Sequence, residues 1–272
     1  SITSSGGAVS VTGQGGGSGT SGGNVGVAVS SAGQITAGGS GTVTVNGTGG
    51  AGTGNNNHGV SVRDANSRIT SSSGAVSVTG TGTNGANDIL MASGGAVTST
   101  STTAGITLNS TTNGTFPNTA GTDISTDATQ KTTFGTGSTL NIDIDGTTVN
   151  TQYQQLGVVG QIDLNNAALT FAGSTWSPVA NTFTIVNNDG SDAIISTFNG
   201  LSQGAIIPNF LGSALNAQIS YTGGDGNDVV LAVAPPVCVA PAITAPVSSN
   251  SPICAGGTLN LSMGVSGTEP LS

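Results

Sequence analysis

Over the first part of the chain apolar residues alternate with small polar ones, and the alternation is written three times in nearly the same letters. The phrases are GAVSVTG at Gly7–Gly13, GTVTVNG at Gly41–Gly47 and GAVSVTG at Gly74–Gly80, standing 34 and 33 residues apart. Val9 and Val11, Val43 and Val45, Val76 and Val78 fall on one side of an extended chain, and Ser and Thr fall on the other. That is the period of a half-buried strand. A unit this short cannot bury its apolar side alone, so its recurrence predicts coils stacked on one another.

Aligned on the valine pairs, the repeats share more than the phrase. Val27 and Val29 are followed by Ile35 and then Val43 and Val45; Val60 and Val62 by Ile69 and then Val76 and Val78; Ile89 by Val97 and then Ile106 and Leu108. Each repeat thus has three short apolar sites and one Gly/Asn-rich excursion, as at Gly13–Asn24 and Gly47–Asn57. Three strands and one long loop per turn describe a coil of a parallel β-helix. Gly and Asn are expected in turns that need positive φ. Thr, Asn, Gly and Pro117 dominate residues 110–137, with Ile124 and Phe134 as isolated anchors, which predicts an irregular further coil.

From residue 138 the pattern changes. Tyr153, Phe171, Trp176, Phe183, Phe198, Phe210 and Tyr221 gather here. Strands are predicted at Leu140–Ile144, Gln154–Val159, Gln161–Leu164, Leu169–Phe171, Thr182–Val186, Ala193–Phe198, Ala217–Tyr221 and Val229–Val233. Turns are predicted at Asp145–Gly146, Asn187–Gly190 and Gly223–Gly226. A bulkier terminal block is what a solenoid needs to close its end. It is expected to be antiparallel, or a mixed continuation of the coil with a cap. The predicted organisation is therefore all-β: a β-helix (solenoid) of repeats over 1–137, a capping block over 138–233, a Pro-rich linker over 234–247 and the start of a further module over 248–272.

Composition sharpens this picture. Gly is 46 of 272 residues and only 6% are charged. Disordered chains carry more charge, and a Gly/Ser linker has no reason to keep valines in register. The net charge is −9, with only Arg63, Arg68 and Lys131 as basic residues. Phosphate neutralisation needs a basic stripe, so nucleic acid is excluded as a partner and anionic membranes are disfavoured. The two cysteines, Cys238 and Cys254, either pair with each other or await a partner outside the chain. No run of 18 apolar residues and no leader pattern is present, and the chain is expected to be an internal piece of a longer protein.

The phrases from Gly137 to Phe171, from Thr182 to Leu201 and from Ile219 to Val233 resemble, in order, the C-terminal end of the passenger regions of autotransporter-associated β-strand repeat proteins. The resemblance implies a right-handed parallel β-helix in a large secreted or surface-displayed bacterial protein, with an adhesive role and no catalytic residues. Unlike that family, this chain shows no membrane β-barrel after the passenger. After the linker, Ser249–Ser272 resembles the first strands of Ig-like or PKD-type modules, with Cys254 at a place where such modules put a sheet-bridging Cys; more such modules would follow in the full protein.

Candidate chemistry is sparse. Gly223–Leu231 (GGDGNDVVL) fits a nonapeptide that binds Ca²⁺ in stacked β-roll repeats, with Asp225, Asn227 and Asp228 as oxygen ligands. There is one copy only, and a plain hairpin turn explains it as well. Asp143 and Asp145 lie roughly 7 Å apart on one strand face, a spacing seen in glycoside hydrolysis, yet flanking Ile142 and Ile144 turn the acids toward water. The single His58 has no companion ligands for zinc. Arg63, Asp64 and Arg68 mark the best place for a polysaccharide-cleaving groove, which is the alternative to a stalk. Rows of Ser and Thr along the strands suit ordered water or glycans, or are the outward half of an alternating strand. The function expected is a β-helix stalk presenting polar loops such as Gly47–Asn57 to host or surface glycans or proteins, without enzymatic activity and without membrane insertion.

Overall fold

A computed structural model describes residues 1–110, 114–117, 122–126, 129–173, 178 and 181–234, and four two-residue strands beyond them. Two compact units are present, Ser1–Val233 and Ala234–Ser272.

The first unit is a parallel β-solenoid with three walls, visited in turn. Ile2–Ser4, Val9–Gln14 and Val27–Val29 make the first coil; Gln34–Ala37, Val43–Thr48 and Val60–Arg63 the second; Arg68–Ser71, Val76–Thr81 and Ile89–Ala92 the third. Ala96–Ser99, Ile106–Ser110 and Thr115–Phe116 follow as the fourth, Ile124–Ser125, Lys131–Phe134 and Thr139–Asp143 as the fifth, and Leu156–Val159, Gln161–Asp163 and Ala168–Ala172 as the sixth. Each wall is a sheet in which every strand pairs in parallel with its equivalent one coil away. Thr182–Asn188 opens a seventh coil on the first wall. There the direction reverses: Asp228–Val233, Ala217–Gly223 and Ile206–Ile207 add antiparallel strands and complete a ten-stranded sheet.

Register fixes the core. Val11 lies beside Val45, Val45 beside Val78, Val78 beside Leu108 and Leu108 beside Phe134. Val45 and Val78 are fully buried; Val11, in the first coil, is partly so. The first wall carries a column Ile2, Ile35, Ile69, Val97, Ile124, Val158 that ends on Asn188. On the second wall the inward alternation does not stop at the valines. It runs Val43, Val45, Gly47, Gly49, and the chain returning from the excursion lies directly on the two glycines. A Cβ on Gly47 would stand 2.1 Å from the Gly59 carbonyl oxygen, and one on Gly49 2.0 Å from that of Asn57. The repeated glycines that close each phrase thus serve close backbone approach rather than a positive-φ turn.

The closing block departs from expectation at two places. No hairpin forms at Asp145–Gly146: Ile144 and Tyr153 make one antiparallel bridge, and the chain then rejoins the first wall beside Ile124–Ser125. Ala193–Phe198 is not a strand, because Ser196 takes φ 62° and only Ile195 bridges the second wall, at Asp163. The hairpin at Gly223–Gly226 is present, between Ala217–Gly223 and Asp228–Val233. An aromatic plug closes the end: Phe183 meets Tyr153 edge-on at 5.3 Å, and Phe210 meets Phe171 at 5.1 Å. The Tyr221 hydroxyl donates to Leu201 O at 2.6 Å and accepts the Phe198 N–H at 3.0 Å, tying the hairpin to the turn beneath it.

In the second unit Ala242–Ile243 pairs antiparallel with Val265–Ser266, and Ser248–Ser249 with Leu261–Ser262. Cys238, Cys254 and Trp176 lie outside the described residues, as does most of the segment resembling an Ig-like module.

Candidate functional site

Three places on the first unit gather polar groups. The first is the edge between the second and third walls, where the excursions leave. They do not wave in solvent; each is laid on the next. Thr53 N–H donates to Gly19 O at 2.7 Å, Gly23 N–H to Asn55 O at 2.8 Å, and Thr83 N–H to Asn57 O at 3.1 Å. Asn57 is the rivet. Its Oδ1 accepts the Asn24 N–H and the Asn24 Nδ2, both at 3.0 Å, and its Nδ2 donates to Gly52 O and Gly54 O, with the side chain wholly buried. Such buried amides are stable only when fully partnered. In Gly47–Asn57, offered above as an exposed contact loop, only Ala51, Thr53, Asn55 and Asn56 reach solvent freely. The Asn ladder escaped sequence reading, although its signal was there: Asn24 and Asn57 each stand three residues before a valine pair.

Beside this ladder Asn55, Asn56, His58, Asn84, Gly85 and Asn87 line a recess of about 280 Å³. His58 is buried, and its Nδ1 accepts the Asn87 N–H at 3.1 Å. Burial, with the Arg63 charge nearby, holds its pKa below the usual 6.5. The recess is a neutral, amide-rich surface with paired donors and acceptors and no ionised group among its lining residues.

The second place is the outer side of the second wall. Ser10, Thr44, Ser77, Thr107 and Thr133 form one in-register column, and Thr12, Asn46, Thr79 and Asn109 a second beside it. The rows are spaced by one strand separation, about 4.8 Å, and the columns by two residues, about 7 Å. Asn109 Nδ2 donates to Thr79 Oγ1 at 3.1 Å.

The third place is the cap turn. Of the residues proposed as calcium ligands, Asp225 is exposed, while Asn227 and Asp228 are buried. Asp228 Oδ1 accepts the Asn188 N–H at 2.9 Å, and Asn227 Nδ2 donates to Asp189 O at 3.1 Å. Burial first, and the Asp225 charge after it, raise the Asp228 pKa above 3.8. Among the described residues no group of three or more His, Cys, Asp or Glu is placed to hold a metal.

Two of the three residues suggested for a cleaving groove, Asp64 and Arg68, are spent on coil-to-coil staples, while Arg63 is exposed. Asp64 Oδ2 accepts the Ser31 N–H of the preceding coil at 2.9 Å, and Arg68 Nη1 donates to Gly94 O of the following coil at 2.7 Å. Asp143 and Asp145 line a recess of only about 80 Å³. Burial and then the charge of Asp145 push the Asp143 carboxyl above its usual range. Ile142 and Ile144 behind them are fully buried, as the alternation requires.

No family model, no curated protein and no solved structure matches the chain. No helix among the described residues is long and apolar enough to cross a membrane.

Proposed function

We propose that this chain is a structural, adhesive stalk of a secreted or surface-displayed bacterial protein, holding neutral hydroxyl-rich ligands such as glycans by many weak polar contacts. One observation carries the reading: the two in-register columns of Ser, Thr and Asn on the second wall, which set a pair of polar side chains at the same two positions in each of the first four coils. A single hydroxyl or amide gains little over water, but contacts repeated on a fixed lattice act together at high effective concentration. The stacked excursions add the recess of Asn55, Asn56, His58 and Asn84 at the adjoining edge. A glycan fits this wall better than an ice lattice does, because Asn109 and Thr79 bond to each other and the columns mix three residue types. A polysaccharide-cleaving enzyme, the competing class, finds little support. Arg68 and Asp64 are engaged in turns, and the recess beside Asp143 is too small for a sugar ring in a working site.

The test is binding of the purified chain to arrayed neutral glycans, compared with the double variant T79K/T107K, which interrupts both columns, and with N84A in the recess. Retention of the wild-type chain with at least a tenfold loss in the wall variant supports the reading. Absence of retention on every glycan surface, or equal binding by all three proteins, overturns it.

A further inference from the structure

Two amide oxygens in the cap have no hydrogen-bond partner. Asn188 Oδ1 and Asn227 Oδ1 are both sealed from solvent, in side chains that are 1% and 4% exposed. Native proteins leave few such groups without a water or an ion. Asn188 is doubly odd, because it ends the first-wall column of Ile and Val, directly beside Val158. One more methylated side chain would have continued the column; an amide there incurs a desolvation cost that the single bond from its nitrogen offsets only in part.

The two residues stand at one junction, each bonded to the chain neighbour of the other: Asn188 to Asp228 and Asn227 to Asp189. The ladder that pairs Val186 with Val229, continued in step, sets Asn188 opposite Asn227, and facing side chains of an antiparallel pair have Cβ atoms about 5 Å apart. Both amides are oriented by their nitrogens. Asn188 Nδ2 donates to Asp192 O at 2.6 Å and Asn227 Nδ2 to Asp189 O at 3.1 Å, so in each amide it is the oxygen that is left over. The Asp228 carboxylate adjoins them, held by the Asn188 N–H. Asp189, Asp192 and Asp225 lie on the same two turns. The chain's three basic residues are elsewhere: Arg63 and Arg68 are in the early coils, and Lys131 is paired with Asp163 at 2.6 Å.

We infer that the cap holds a divalent cation, calcium, between Asn188 Oδ1, Asn227 Oδ1 and the Asp228 carboxylate. Calcium accepts amide, main-chain and carboxylate oxygens in flexible number, so it needs no cluster of three acids. Magnesium demands a tighter octahedron and suits two buried amides poorly. Bound there, the ion satisfies both orphan oxygens, offsets the negative charge of the nearby acids and pins the closing hairpin onto the last coil. The motif noticed in the sequence contributes Asn227 and Asp228 but not the exposed Asp225, and the partner it lacked is Asn188 from another strand rather than a second copy of the motif.

The experiment is a thermal melt of the full chain in calcium chloride, in magnesium chloride and in EGTA, with calorimetric titration of calcium at constant ionic strength. Calcium is expected to raise Tm by about 5 °C or more over EGTA, and magnesium by much less. In N227D the added carboxylate should tighten calcium binding at least tenfold while lowering Tm in EGTA. If that variant does not fold without calcium, its recovery on calcium addition gives the same answer. No heat of binding together with no calcium-dependent shift in the wild-type chain overturns the proposal. So does an N227D chain that is destabilised equally in calcium and EGTA, which is the behaviour of a buried water bridging the two amides. Neither outcome bears on glycan binding by the wall.

Discussion

In residues 1–110 there is no aromatic residue, and the interior is filled by Val, Ile, Leu and Met standing in columns. In residues 182–233 the strands turn antiparallel and Phe183, Phe198, Phe210 and Tyr221 fill the space. The repeated coils have a neighbour above and below, so a side chain need only reach the next rung. The closing block has no rung beyond it, and large rings cover what one more coil would have covered. A stack is built from interchangeable small parts and a terminus from particular large ones, so damage should read differently in the two regions.

The largest effect is expected from the glycines of the stack. Gly47→Val sets side-chain carbon where the Gly59 carbonyl already lies, and neither backbone has room to retreat. The second coil should fail to close, seen as loss of the folded state or a fall in Tm of more than about 10 °C. Gly16→Ala, at a glycine with open space around it, should leave Tm within about 2 °C. Equal effects of the two would refute close approach as the reason for the repeated glycines. Next in size is the contrast between plug and rung. Phe183→Ala should cost about 3–5 kcal/mol and Val78→Ala about 2 kcal/mol by denaturant titration. A Val78 cost as large as that of Phe183 would mean that the rungs are as particular as the plug.

The smallest effect is in pH, and its sign should differ between the regions. His58 in the stack has a lowered pKa, so the unfolded chain takes up its proton first. The contribution of His58 is whole above 6.5 and is lost as pH falls below it through the lowered folded value. Asp228 in the cap has a raised pKa, so the folded chain keeps its proton longer. Its contribution is whole below 3.8 and is lost as pH rises through the raised folded value. Denaturation of H58Q and of D228N in EGTA between pH 4 and 7.5 should flatten the first and the second of these slopes respectively. A wild-type slope unchanged in both variants would show that neither group is the source.

Much of the architecture was open to reading from valine spacing alone. Val9, Val43 and Val76 are inward on one wall, and the order of walls follows from the residues between them. The repeated glycines suggest turns, because conformational freedom is their better-known property. Their period of two after each valine pair, which places Gly47 and Gly49 on the inward side, carried the correct message. The fourth and fifth coils were harder, since Thr115 and Thr132 take inward places in otherwise aliphatic columns and break the apolar alternation. Asn188 was invisible as a site residue. Nothing local marks it, and it meets Asp228 only because the chain reverses direction between them. Pairings that depend on a reversal many residues away are where one-dimensional patterns lose their hold.

The hydrogen bonds that join one coil to the next all point along the stack, while the chain itself runs across it. A load drawn between the two ends of the first unit therefore meets the coils one at a time, as stitches are undone, and not all together. Each coil of thirty-odd residues that lets go pays out roughly 100 Å of slack before the next is strained. A stack made this way is expected to yield in steps under a sudden tug rather than in one rupture.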